Sequence, residues 1–179
     1  DDVVNALLAR NAKVDLQTSD DITALMLAAQ KGHEGIVDAL LSKGANVNLQ
    51  TKEKVTALMI AALEGRTSIV EKLLAKNALI NTQASDNTTA LYMAARNGHT
   101  AIVETLLAKN APIDLLAAND TTALYIAAQN GHADVVNALL AKGAKIDLKD
   151  KNDATALTLA ALLGNTEVVR VLVQHGAKV

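Results

Sequence analysis

The tripeptide Thr-Ala-Leu begins at residues 23, 56, 89, 122 and 155, and every interval is 33 residues. A glycine follows nine residues after each threonine, at Gly32, Gly65, Gly98, Gly131 and Gly164. Between them an Ala-Ala pair recurs at 28–29, 61–62, 94–95, 127–128 and 160–161. Self-similarity at one fixed period is the mark of stacked structural units, none of which buries its apolar face alone. The 179 residues therefore read as an array of like units.

Each unit reads as two short helices and a loop. In the second unit "TALMIAALEG" is the first helix, with Thr56 as N-cap and Gly65 as its stop. "RTSIVEKLLAKNA" follows, and Ile69, Val70, Leu73 and Leu74 form one apolar stripe at helical spacing. It ends at Asn77, where sibling units carry Gly44, Gly143 and Gly176; both residue types tolerate the left-handed conformation that closes a helix. The polar stretch "NTQASDN" then predicts an extended, turn-forming finger. Half of the chain is apolar, yet only Tyr92 and Tyr125 are aromatic. The core must be Leu, Ile, Val and Ala, which suits close helix packing.

These motifs resemble the ankyrin repeat family over the whole chain. The shared pattern is Thr-x-Leu-x-x-Ala-Ala-x-x-Gly-His, then Ile/Val-Val-x-x-Leu-Leu, then Gly-Ala-x-Val/Ile-Asn/Asp, as in "TALYIAAQNGHADVVNALLAKGAKIDL" from Thr122. The resemblance implies an all-α fold, an α-solenoid of stacked helix-turn-helix repeats with β-hairpin-like finger loops. It implies a single domain over 1–179: a partial repeat at 1–22, full repeats at 23–55, 56–88, 89–121 and 122–154, and a terminal repeat at 155–179 lacking its finger. Two departures stand out. The family's Thr-Pro-Leu-His is Thr-Ala-Leu followed by Met, Tyr or Thr, and its glycine two residues before each Thr is Asp21, Lys54, Asn87, Asp120 or Asp153. Asp and Asn tolerate a left-handed turn, whereas Lys54 is less comfortable there. Residues 1–16 match only a second helix and the start of a finger, and the last unit has little polar replacement on its helices. Both features lead to the expectation that the chain is an excerpt of a longer array or a larger protein.

For function the resemblance implies a non-catalytic protein-protein interaction module that binds through its concave face and finger tips. Carried over, the variable contact positions before each Thr include Ser19, Asp20, Ile22, Lys52, Glu53, Val55, Ser85, Asp86, Thr88, Asn119 and Thr121. On the first helices they are Gln30, Lys31, Leu63, Glu64, Arg96, Asn97, Gln129, Asn130, Leu162 and Leu163. Helical spacing adds a column four residues earlier on the same face: Met26, Met59, Tyr92, Tyr125 and Thr158. Two readings of that column stand side by side. It is an apolar-aromatic strip that anchors a partner, or its side chains replace the missing family histidine and pack between loops. Leu63, Leu162 and Leu163 favour contact, because solvent-facing helix ends usually carry polar residues; for Leu162 and Leu163 the competing explanation is burial by a neighbouring unit.

Other function classes find little support. A net charge of −2 gives no general attraction to nucleic acid. No apolar run approaches the roughly 20 residues of a membrane span, and the start "DDVVNALLAR" is unlike a signal peptide. The expected setting is cytoplasmic, the expected state a monomer and the expected partner another protein or peptide. With no cysteine and no His pair at i, i+4 spacing, no metal site or cofactor is expected. His33, His99 and His132 read as structural, and the series Arg10, Lys43, Lys76, Lys109, Lys142 and His175 as cations complementing helix C-termini. Glu71 and Glu104 recur at one repeat position and read as a solvated outer face. No catalytic constellation is visible. Three alternatives remain: the substrate-recognition arm of a larger enzyme or effector, an engineered ankyrin binder, or a structural spacer.

Overall fold

The computed structural model describes Ala6, Arg10 and residues 12–178, so the partial unit read at 1–22 lies partly outside the described residues. Among the described residues are ten α-helices. The first helix of each pair is α1 (Ala24–Lys31), α3 (Ala57–Leu63), α5 (Ala90–Arg96), α7 (Ala123–Gln129) or α9 (Ala156–Leu162). The second is α2 (Glu34–Ser42), α4 (Thr67–Ala75), α6 (Thr100–Ala108), α8 (Ala133–Ala141) or α10 (Thr166–Gln174). Each motif threonine is an N-cap: the Oγ1 of Thr23, Thr56, Thr89, Thr122 and Thr155 accepts from the backbone N–H three residues on, at 3.1–3.3 Å. Every first helix begins at the alanine that replaces the family proline, since alanine is itself a strong helix former.

First helices pack on first helices and second on second, which makes two layers. Leu25, Leu58, Leu91, Leu124 and Leu157 from one layer meet Leu40, Leu73, Leu106, Leu139 and Leu172 from the other, and all are buried. The Ala-Ala pairs face the neighbouring first helix. From Ala28 to Ala160 they are buried because a small side chain lets two helix backbones approach closely. The turn between paired helices needs glycine twice over at Gly65 and Gly98. Both have positive φ, and an added Cβ would lie 2.6 Å from the ring of His99 or His132 in the next unit.

The fingers are hairpin-like turns, with paired bridges only at Gln17–Thr23 and Lys149–Thr155 among the described residues. Each closes with the residue two before the Thr at φ of 60–62°. Lys54 adopts this left-handed state like its Asp and Asn siblings, and its N–H donates to the Thr51 carbonyl at 2.8 Å. The finger hydrogen bonds thus impose on lysine a conformation that costs roughly 1–2 kcal/mol. Adjacent fingers are joined along the edge: Ser85 N–H donates to Glu53 O and Ala118 N–H to Asp86 O, both at 2.9 Å, and Lys151 N–H to Asn119 O at 3.2 Å. A second ladder runs through the Asn/Asp that ends each Gly-Ala-x-Val/Ile segment. Asp15, Asn48, Asp114 and Asp147 accept from the backbone N–H of Asn46, Leu79, Lys145 and Lys178 at 2.8–3.1 Å. Pro112 occupies the remaining donor position and has no N–H to give.

Candidate partner-binding surface

The surface is built on the first helices and the fingers above them. The first residues to place are the column three positions after each Thr. Met26, Met59 and Tyr125 are buried, Tyr125 to 7% exposure, and Tyr92 is half-buried. A side chain at this first-turn position points back toward the helix N-terminus, and there both tyrosines reach the finger that follows in their own unit. The Tyr92 hydroxyl lies 3.2 Å from Thr121 Oγ1, and the Tyr125 hydroxyl donates to Asp150 Oδ2 at 2.9 Å. Burial, then the bond to Asp150, pushes the Tyr125 phenol up to about 12. Partial burial of Asp150 works against its ionisation, yet N–H donors from Ala154 and Asn152 and the Tyr125 hydroxyl together hold its carboxyl below the usual range. Tyr92 and Tyr125 are thus posts beneath the fingers that follow them in the chain, whereas Thr158 is exposed.

The pair at the end of each first helix lies elsewhere. Gln30, Lys31, Glu64, Arg96, Asn97, Gln129 and Asn130 are exposed, and Leu63 is half-buried. Leu162 and Leu163 are 80% and 50% exposed. Their counterparts in units that do have a following neighbour remain mostly exposed, so a further unit alone would not hide these two leucines. Asn97 and Asn130 also reach back: their Nδ2 atoms donate to the Leu63 and Arg96 carbonyls at 2.8 and 2.7 Å. The same carbonyls lie 3.0 Å from Nε2 of His99 and His132. A carbonyl only accepts, so these imidazoles carry their proton on Nε2. The carbonyls left open at the ends of α3 and α5 are thereby closed by the next unit.

At the fingers, Lys52 and Glu53 are exposed, with Lys52 Nζ 3.5 Å from Asp20. Asp86 is exposed but held to its own finger, because its Oδ1 accepts from the Thr88 hydroxyl at 2.6 Å and the Thr88 backbone N–H at 3.1 Å. The Thr88 hydroxyl is the main reason its carboxyl sits below the usual range, and the Arg96 charge adds to the effect. Between these fingers lies an apolar notch of about 220 Å³, floored by Val55, Ala84 and Met93 with Glu53 and Ser85 at its rim.

A column missed in the sequence lies one residue later than the tyrosines: Leu27, Ile60, Met93, Ile126 and Leu159. Leu27 is 47% exposed and Ile126 is buried, with Ile60, Met93 and Leu159 between them. Its signal was present, an apolar residue in every unit three and four positions before the exposed helix-end pair. Together the column and the pair form a strip with an aliphatic floor and a mixed rim.

From Lys43 on, the basic series is accounted for locally, since Lys43, Lys76, Lys109, Lys142 and His175 are each the C-cap of a second helix. Among the described residues no helix is long and apolar enough to cross a membrane. No curated protein matches the chain in sequence. The family model for ankyrin repeats matches three times, over residues 1–84, 77–150 and 111–179. With two layers of paired helices, threonine caps, glycine turns and hydrogen-bonded fingers in agreement with that match, the chain belongs to the ankyrin repeat family.

Proposed function

We propose that the chain acts as a single, monomeric ankyrin repeat domain without catalysis, a scaffold or targeting arm that binds one protein or peptide partner. Ankyrin repeats are in general protein–protein interaction modules. The partner lies along the strip from Leu27 to Leu163 and against the finger tips at Lys52, Glu53 and Ser85. The observation that carries the proposal is the pairing of solvent-exposed leucines with a fixed backbone: Leu162 and Leu163 stand open at a helix end, while neighbouring fingers are already hydrogen-bonded to each other. A pre-organised surface loses little conformational freedom on binding, so more of its contact energy appears as affinity. Arg96 is of a residue type that dominates interface energetics, and Met93 one turn before it adapts to a partner's shape.

The test is affinity capture with the native chain beside two surface variants, Leu162→Ser/Leu163→Ser and Glu53→Arg/Ser85→Arg. Both alter exposed side chains, so circular dichroism of each variant should match the native chain. Loss of a captured protein with either variant supports the strip as the interface. Equal capture by all three baits removes the strip and fingers from the interface.

A further inference from the structure

The outer side of the stack carries two grooves built from the same residues, one filled and one open. In the α2/α4 groove Lys72 of α4 lies against α2, with Nζ donating to Asp38 Oδ2 at 2.8 Å and to Glu34 Oε2 at 3.2 Å. Its stem runs beside Leu41 and Ala75, with Lys76 at the groove end. Two periods further along, the α6/α8 groove keeps this lining: Glu104 stands for Asp38, Leu107 for Leu41, Ala141 for Ala75 and Lys142 for Lys76. The exchange that matters is Ala138 in the place of Lys72. With that side chain gone the groove measures about 370 Å³, against about 230 Å³ for its filled counterpart. Between them, in the α4/α6 junction, Thr105 takes the same place and turns its hydroxyl onto the Ala101 carbonyl of its own helix at 2.8 Å. Among the described residues only the α6/α8 groove thus combines a carboxylate wall with the bare methyl of an alanine. Glu104 is exposed and has no ion-pair partner among the described residues.

We propose that the α6/α8 groove is a second docking site, on the face opposite the strip, that takes one lysine or arginine side chain from a partner protein. The incoming stem lies on Leu107, Ala138 and Ala141, and its charged head meets Glu104 as Lys72 meets Asp38. Long cationic side chains suit such a seat, since the methylenes cover apolar surface while the head stays wet. The chemistry is fixed by charge: Glu104 and Asp134 line the groove against one cation, Lys142. Lys142 does not block the site, because its counterpart Lys76 shares a groove with Lys72.

The test uses a capped Ala-Leu-Lys-Leu-Ala peptide and its norleucine counterpart, titrated into the full chain at low ionic strength and followed by amide NMR. The lysine peptide should shift the amides of residues 104, 107, 138 and 141 in a saturable way, and the norleucine peptide should not. Glu104→Gln should weaken binding roughly two- to fivefold, the scale of an exposed ion pair. Ala138→Lys should abolish it by filling the groove from within, and it should fold because Lys72 already occupies that position in α4. The proposal is overturned if Ala138→Lys binds the peptide like the native chain, or if shifts gather at other carboxylates such as Glu34 or Glu167. It is also overturned if no amide responds at millimolar peptide. Concentration-dependent shifts at these amides without peptide would assign the groove to a second copy of the chain and sink the proposal equally.

Discussion

The unit at 122–154 and the last unit, from Thr155, are written in nearly the same motif but live in different surroundings. In the inner unit Ala128 and Val136 are buried completely, and Leu140 is half-buried. In the last unit Ala161, the counterpart of Ala128, is exposed, Val169 is half-buried and Val173 is 52% exposed. The residue types hardly change, so the difference comes from the neighbour. A repeat motif encodes a local shape, and its burial is completed by the next unit.

The comparison is broken most sharply by removing methylenes. Val136→Ala in the inner unit should cost about 1.5–3 kcal/mol, the worth of a fully buried valine. Val169→Ala at the same position of the last unit should cost about half of that, since part of its side chain stays in water. Urea unfolding of the two variants and the native chain measures both. Equal losses would mean that the outer side of α10 is covered in solution and that the contrast between the units is false.

A smaller effect is expected at the turns. Gly98 and Gly164 share a φ of 73°, so alanine pays the left-handed cost, roughly 1–2 kcal/mol, at either position. At Gly164 nothing lies within 4 Å of the added Cβ, whereas at Gly98 the His132 ring must give way. That shift disturbs the hydrogen bond from His132 Nε2 to the Arg96 carbonyl. Gly98→Ala should therefore lose about 1 kcal/mol more than Gly164→Ala, the net worth of one such bond. Thermal unfolding of the pair decides the matter, and identical midpoints would show that the ring moves without penalty.

Much of this was legible in the sequence, for a physical reason. Thr56, Gly65 and Asn77 each act on the backbone of their own turn, so helix starts and stops follow from the local residues alone. The strip was harder to read. Whether a side chain after Thr-Ala-Leu is covered depends on where the finger at the far end of the unit lies, 25–29 residues on, which helical spacing does not give. Tyr125 and Ile126 are adjacent and both apolar, yet only the hydroxyl of Tyr125 reaches Asp150 in the following finger. Asn97 reads as a free polar helix end, although its amide closes a carbonyl of the preceding unit. Lys54 differs, because the bond to the Thr51 carbonyl that accompanies its left-handed φ is local, and only the residue type spoke against that conformation.

The finest contrast lies between Tyr125 and its counterpart Thr158. Tyr125 reaches up to the finger that closes its own unit, while the Thr158 hydroxyl turns back to the Thr155 carbonyl at 3.0 Å. Tyr125→Phe keeps the ring and removes only the hydroxyl, so near neutral pH it should cost about 0.5–1.5 kcal/mol. The pH dependence separates this bond from packing. Tyr125 has a folded value of about 12, above the ordinary value of 10.0. Between those two values the unfolded chain has released the phenol proton and the folded chain has kept it. The stability tied to this group is therefore fully present below pH 10 and is lost as pH rises toward 12. Chemical denaturation across that window should show the native chain losing its advantage over Tyr125→Phe. A constant gap between the two curves would mean that the phenol titrates alike in both states, and that the post beneath the last finger is held by its ring alone.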